Sequence, residues 1–154
     1  MMSDSAPPSD AFPSASPVVE LWYAPLPPPL SQFAWHHWFV VREGDRADRW
    51  EVWQTRNAGG ESRGHVVKNL MAPDRPVGGG DSVCLFTWRG DDAESLVRAL
   101  RRAWENYPFQ NVYRAFPGPN SNTFVAWILR RAGLGGDAAL LLKRQAIGRG
   151  WWLG

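Results

Sequence analysis

Three polar side chains in this sequence are of the types that build a nucleophilic catalytic site. Ser121 follows the turn "PGPN" where an amphipathic helix is predicted to begin, and His37 and His65 lie in two predicted strands. A nucleophile at a helix N-terminus faces the positive end of the dipole, and a nearby imidazole can take its proton while a second polar group orients the ring. These residue types predict hydrolase chemistry, although no GxSxG elbow accompanies Ser121.

Each of these residues also has a structural interpretation that the sequence leaves open. Ser121 or Asn120 can cap the helix by accepting a hydrogen bond from a backbone N–H, and Ser121 can equally be a ligand-binding relic. Asn122 is expected to be exposed and is a candidate oxyanion or ligand contact, or a capping residue. His37 and His65 can be ordinary structural histidines. Because His36 and His37 are adjacent on a strand, they must point to opposite faces.

The elements that must position these residues follow from hydrophobic periodicity. Alternating or β-branched runs predict strands, and apolar residues three and four apart predict helices. The predicted strands are 17–23, 33–41, 49–55, 64–70 and 82–88, with a short strand or connector at 111–116. The predicted helices run from 91 to Pro108, from about 120 to Gly133, and through the start of the segment 136–154. This order predicts an α+β domain, a small antiparallel sheet packed against two or three helices.

Composition sets the domain limits and excludes several classes of function. Residues 1–17 are rich in Ser, Pro and Ala and predict a disordered tail, followed by a single domain at 18–150 and a C-terminal tail at 151–154. The net charge of +2 has no block of like charges, so no nucleic-acid partner is expected. No apolar stretch approaches the ~20 residues of a membrane span, and no metal-ligand cluster is visible. We therefore expect a cytoplasmic protein without cofactor.

The single cysteine and the tryptophans are expected mainly in the core. Cys84, the single cysteine, lies between apolar neighbours and is predicted to be buried in the core. Most of the ten tryptophans are predicted to fill the core, while Trp151 and Trp152 are expected at the surface.

Two segments resemble a known superfamily. "HHWFVV" followed much later by "NSNTFVAWIL" looks like the circularly permuted papain-like superfamily, which includes lecithin retinol acyltransferase-like and NlpC-type proteins. Their pattern starts with "HW" on a strand and ends with a helix that opens on "NC". The matching positions are His37, Trp38, Asn120, Phe124 and Val125, with Ser121 in place of the cysteine and His65 as the third polar residue. The resemblance implies a permuted papain-like fold.

A second resemblance is closer. "PGPNSNTF" and the terminal "AIG" are similar to an uncharacterised bacterial family, the domain of unknown function 3750, over most of residues 18–150. This family brings no assigned activity. The replacement of Cys by Ser in the distant superfamily pattern matters, because a serine hydroxyl needs general-base catalysis and an oxyanion hole where a thiol can ionise near neutral pH.

Three functions remain open from these observations. The first is a hydrolase or acyltransferase-like enzyme that acts on an amide or ester through Ser121 and His37. The second is an inactive module that binds a peptide, lipid or cell-wall fragment in the same groove, with Asn120, Asn122 and Trp38 as ligand contacts. The third is an interaction protein that docks through its proline-rich segment or its "RGWWLG" tail. Substrate and oligomeric state do not follow from the sequence.

Overall fold

The computed structural model of the chain describes residues 15–55, 61–62 and 64–151. A five-stranded sheet and four α-helices make up most of this part. The strands are β1 (Val18–Pro25), β2 (Trp35–Glu43), β3 (Arg46–Gln54), β4 (Glu61–Ser62), β5 (Gly64–Lys68), β6 (Val83–Trp88) and β7 (Tyr113–Arg114). The helices are α1 (Gly90–Arg101), α2 (Ala103–Asn106), α3 (Ser121–Arg131) and α4 (Gly135–Leu141), with a 3-10 turn at Leu30–Gln32.

The main sheet is antiparallel throughout, with strand order β5-β3-β2-β1-β6. The hairpin β2–β3 closes at the pair Glu43–Arg46, so its loop holds only Gly44 and Asp45. Gly44 has a φ of +58°, which a two-residue hairpin turn requires and glycine adopts without strain. Strands β4 and β7 form a separate two-stranded ladder.

One face of the sheet carries the hydrophobic core. Alternate residues of β1, β2 and β3 point to this face and pack against α1 and α3, because successive side chains of a strand alternate between faces. The fully buried members include Val19, Leu21, Phe39, Leu96, Leu100, Phe124, Ile128 and Leu129. Helix α3 is buried from Ser121 to Leu129, and its N-terminus lies beside the start of β2, where Asn122 contacts Trp35 and His37.

The opposite face of the sheet is covered by a loop instead of helices. Trp38 donates from Nε1 to the Pro73 carbonyl at 2.8 Å, and Arg49 donates to the carbonyls of Ala72 and Arg75. The loop at residues 69–82 therefore covers this face of the sheet. The side chains buried beneath it include the charged residues Arg49 and Glu51. His36 and Arg49 both contact the Glu51 carboxylate there.

The predicted α+β class and antiparallel sheet are confirmed, with four helices in the described residues where two or three were expected. The prediction of a buried Cys84 is wrong: its thiol is exposed. Strand β6 lies at the edge of the described sheet and pairs with β1, so most of its side chains reach solvent. Residues 1–14 of the predicted tail and 152–154 of the C-terminal tail lie outside the described residues.

Candidate functional site

Helix α3 begins with a complete capping box. The Asn120 side-chain oxygen accepts from the backbone N–H groups of Asn122 at 2.9 Å and Thr123 at 3.3 Å, and the Thr123 hydroxyl oxygen accepts from the Asn120 N–H at 3.0 Å. Such a cap is worth about 1 kcal/mol. The cap is therefore Asn120, one of the three residues considered for this role, and Ser121 is the first helical residue.

His37 projects from β2 toward this helix start, where Asn122 holds its ring. The Asn122 amide nitrogen donates to the carbonyls of Trp35 at 2.9 Å and Ile147 at 3.0 Å, which leaves its oxygen facing His37 Nδ1 at 2.8 Å. An amide oxygen accepts only, so Nδ1 carries the proton and Nε2 has the free lone pair. Among the described residues, His37 Nε2 is the one buried side-chain nitrogen or oxygen without a hydrogen-bond partner.

The environment of His37 keeps its ring neutral. Burial lowers the pKa of His37 to about 4, against the hydrogen bond to Asn122, which favours the protonated form. The rings of Tyr23 and Trp35 lie beside the imidazole, with centroids 5.7 and 6.5 Å away. A neutral imidazole with a fixed tautomer and a free Nε2 has the protonation state that a general base needs.

This shift predicts a pH dependence of stability. The folded-state pKa of about 4 lies below the ordinary value of 6.5, so the unfolded chain takes up a proton first as the pH falls. The neutral His37 ring therefore contributes about 3 kcal/mol to the free energy of unfolding above pH 6.5, relative to strongly acidic pH. This contribution is lost progressively as the pH falls from 6.5 to 4. Urea unfolding between about pH 7 and pH 4.5 measures it. His37→Gln should remove this pH dependence of the free energy of unfolding, whereas His65→Gln, a substitution at an exposed position, should retain it. An unchanged pH dependence in His37→Gln would contradict the lowered pKa of His37.

Ser121 is buried with its hydroxyl turned to a different partner. Both its backbone N–H and its hydroxyl hydrogen-bond to the phenol oxygen of Tyr113. Burial raises the pKa of Tyr113, and these bonds offset the rise only in part, so Tyr113 is a neutral phenol and not a base. Because Nε2 of His37 has no partner, Ser121 does not hydrogen-bond to it in this conformation.

The structure gathers some of the predicted site residues and separates others. His37, Asn120, Ser121 and Asn122 share one buried cluster, in which Asn122 is only 3% exposed although the sequence predicted an exposed side chain. Its burial follows from its three partners on β2 and the C-terminal segment.

The side chains of the two remaining predicted site residues lie outside this cluster. His65 is exposed on the edge strand β5, where it pairs with Trp53 of β3. The residue that holds the His37 ring is therefore Asn122 and not His65, which the sequence predicted for this role. Trp38 lies on the other face of the sheet, where it packs 3.9 Å from the Arg49 guanidinium. Tyr113 was not among the site residues predicted from the sequence. The only feature of the sequence that points to Tyr113 is the turn at 117–119. This turn brings residues 113–114 back to the start of α3, where the Arg114 N–H donates to the Pro119 carbonyl.

The C-terminal segment covers this cluster from the other side. The Thr123 hydroxyl donates to the Gly148 carbonyl at 2.7 Å, and the Trp35 N–H donates to the Gln145 carbonyl at 2.9 Å. Gly148 has a φ of +88°, and a Cβ there would lie 2.6 Å from the Asn120 amide nitrogen. Only glycine permits this close approach. The polar cluster thus joins β2, α3 and the segment 145–148.

The fold and the cluster define an α+β protein in which buried Ser, His and Asn side chains meet a half-buried tyrosine at the start of a helix. A family model described as "Protein of unknown function (DUF3750)" matches residues 16–151, so the chain belongs to this family. No curated protein and no solved structure is similar enough to the chain to count as a match. The closer of the two resemblances is thereby confirmed, and the papain-like relation stays a prediction.

Within residues 15–55, 61–62 and 64–151, no helix has both the length and the apolar character that a bilayer crossing requires. In the same part of the chain, His, Cys, Asp and Glu nowhere gather in threes as a metal site.

Proposed function

We propose that this chain is a serine hydrolase-like or acyltransferase-like protein on a permuted papain-like fold, acting on an amide or ester through Ser121 and His37. The observation that carries the proposal is the unpartnered Nε2 of His37. A buried acceptor without a partner costs about 1–3 kcal/mol. Here it belongs to an imidazole whose tautomer is fixed by Asn122, and Asn122 is the residue that follows Ser121 in α3.

The proposed reaction begins with rotation of the Ser121 hydroxyl from Tyr113 to Nε2 of His37. As Ser121 Oγ bonds to the substrate carbonyl carbon, its proton passes to Nε2. Nε2 then gives this proton to the leaving amine or alcohol, and an acyl-serine remains. Water or an acceptor hydroxyl attacks the ester in the same way and restores Ser121. Asn122 keeps Nδ1 in place throughout, as the third residue of a triad does.

Tyr113 has a role in the same proposal. Burial keeps its phenol protonated, so it can donate a hydrogen bond to the oxyanion once the Ser121 hydroxyl has turned away. The backbone N–H of Ser121, which now points at the phenol oxygen, is the second candidate donor. Both groups lie at the N-terminus of α3, where the helix dipole favours negative charge.

A fluorophosphonate probe tests the nucleophile directly. We expect one phosphonyl adduct on Ser121 in the folded protein, located by peptide mass spectrometry. Ser121→Ala should abolish the adduct, and His37→Gln should reduce its rate by about 100-fold or more, the range of general-base catalysis. Equal labelling of His37→Gln would remove His37 from the mechanism.

Exchange of serine for cysteine gives an independent test of the same geometry. In a Cys84→Ser background, which removes the exposed native thiol, Ser121→Cys should react with iodoacetamide with an apparent thiol pKa below about 8.5. Addition of His37→Gln should return this pKa toward the ordinary value. A thiol of ordinary reactivity in the folded Ser121→Cys variant would show that the helix start and His37 do not activate this position.

One observation favours a second candidate, a catalytically inactive binding module. The Ser121 hydroxyl is bonded to Tyr113, and its residue is only 4% exposed. Under this alternative the polar cluster is structural, and the protein binds a peptide, lipid or cell-wall fragment without turnover. This alternative is supported, and the hydrolase ruled out, if the folded protein gives no fluorophosphonate adduct and the Ser121→Cys variant has no reactive thiol.

A further inference from the structure

A concave site lies at the far end of the sheet face that carries the core. It is a cavity of about 280 Å³ between the strands β2, β3 and β5 and the helices α1 and α2. Its lining includes Val41, four residues along β2 from His37, which corresponds to a separation of about 13 Å. The cavity therefore does not belong to the Ser121 cluster.

Two tryptophans form the apolar wall of this cavity. The rings of Trp50 and Trp104 lie 4.7 Å apart at 46°, and Val97 and Leu100 of α1 extend the wall. Trp104 is 47% exposed, yet its indole is held because Nε1 donates to the Val66 carbonyl at 2.8 Å. A fixed, half-exposed indole is a preorganised surface for a flat apolar ligand, since binding costs it little side-chain entropy.

The rim of the cavity carries charge with a cationic excess. Three cations, Arg46, Lys68 and Arg101, surround two carboxylates, Glu43 and Asp48. Asp48 accepts from both Arg46 at 3.2 Å and Lys68 at 2.9 Å, and Glu43 accepts from Arg101 at 2.9 Å.

The ion pairs use only some of the N–H donors of Arg46 and Arg101 on this rim. Both guanidiniums contact their carboxylates through Nη2, and a guanidinium has five N–H donors in all. Their side chains are 73% and 63% exposed, so the remaining donors of these two lining residues are accessible to an anion. The carboxylates are already neutralised by their ion pairs, and the net charge of the rim is positive. This complements a ligand that carries one negative charge.

We propose that this cavity binds a small aromatic anion, a one- or two-ring compound that bears a carboxylate. The ring packs on Trp104 and Trp50, and the carboxylate binds the guanidiniums of Arg46 and Arg101. The volume lies at the lower end of ligand-site sizes and has room for about two fused rings. This site does not depend on the function proposed for Ser121.

Titration of the ¹⁵N-labelled protein with 2-naphthoate tests the proposal. We expect saturable shifts of the Trp104 indole N–H and a Kd on the order of 1 mM, as the size of the ligand permits. The uncharged isostere 2-naphthamide should bind about tenfold more weakly or worse, because it lacks the charge that the guanidiniums recognise. Equal affinity for the amide, shifts that leave the Trp104 indole unmoved, or no saturable shift at all would overturn the proposal.

Two pairs of variants separate the ring and charge contributions. Trp104→Leu should weaken naphthoate binding by about tenfold or more, and Arg101→Gln by about threefold or more. The matched controls lie outside the cavity: Trp151→Leu replaces a partly exposed tryptophan, and Arg98→Gln replaces an exposed arginine one turn away on α1. Both variants should keep the Kd for 2-naphthoate within about twofold of the wild-type value. Arg101 is exposed, so Arg101→Gln keeps the test decisive if Trp104→Leu is unstable. Unchanged affinity in Arg101→Gln would overturn the anion assignment.

Discussion

Glu51→Gln is expected to lower the free energy of unfolding by about 3–5 kcal/mol, the cost of removing one partner from a buried ion pair. Glu51 accepts from Arg49 Nε at 2.8 Å and Nη2 at 2.9 Å and lies 2.6 Å from His36 Nε2. Burial alone would raise the pKa of Glu51, but the hydrogen bonds and charges of His36 and Arg49 hold it below its usual value. Glutamine leaves the buried guanidinium without a counter-charge.

The loss should reach the loop that covers this face. Arg49 also donates from Nη1 to the Ala72 and Arg75 carbonyls, so an Arg49 without its carboxylate no longer holds residues 72–75 in place. Faster amide exchange in this loop should accompany the lower stability. Urea denaturation measures the free energy, and exchange monitored by NMR measures the loop.

A matched control uses the same substitution on the surface. Glu94 is 53% exposed and lies 3.9 Å from Arg98, so Glu94→Gln should change the free energy of unfolding by less than about 0.5 kcal/mol. If Glu51→Gln does not fold, the double variant Arg49→Met, Glu51→Leu should be more stable than Glu51→Gln, because it removes both charges. A Glu51→Gln protein as stable as Glu94→Gln would show that the network contributes nothing.

Asn122→Ala is expected to lower the free energy of unfolding by about 2–4 kcal/mol. The amide of Asn122 makes three buried hydrogen bonds, to His37 and to the carbonyls of Trp35 and Ile147. Alanine leaves these three groups without their partner, and each unsatisfied buried group costs about 1–3 kcal/mol, reduced where water enters. The same unfolding experiment measures the loss.

Asn106→Ala is the matched control for Asn122→Ala, because Asn106 is exposed in α2 and the expected change is within about 0.5 kcal/mol. The ¹⁵N chemical shifts of His37 give a second readout. In the wild type they should show the tautomer protonated at Nδ1, and in Asn122→Ala that preference should be lost. Retention of both the stability and the tautomer in Asn122→Ala would mean that Asn122 does not position His37.

The fold class followed from the sequence because its signals are local. Alternating residues predicted the strands that became β1, β2, β3 and β6, and apolar spacing predicted α1 and α3. The opposite faces of His36 and His37 followed from the pleat alone, and the structure confirms them, since His36 contacts Glu51 and His37 contacts Asn122. The cap at the start of α3 was also a local matter, settled by Asn120 and Thr123 within one turn.

The errors lie where burial depends on neighbours that periodicity does not reveal. Cys84 has the apolar flanks of a core residue, but β6 became an edge strand, and edge position depends on the order in which strands pair. Asn122 has the polarity of a surface residue, but the C-terminal segment folds over it. His65 lies on β5 beyond β3, away from the strand that carries His37.

The sequence by itself determined the main strands β1, β2, β3 and β6, the helices α1 and α3, the helix start that presents Ser121, and the two opposite directions of His36 and His37. Each of these depends on residues within a turn or a strand pair. The tertiary structure alone decided the partners: Asn122, 85 residues along the chain, binds His37, and Tyr113 accepts from Ser121. It also decided that Arg49 and Glu51 are buried together beneath a loop. Hydrogen bonds and burial between distant segments depend on the packing of the whole sheet, which no short stretch of sequence specifies.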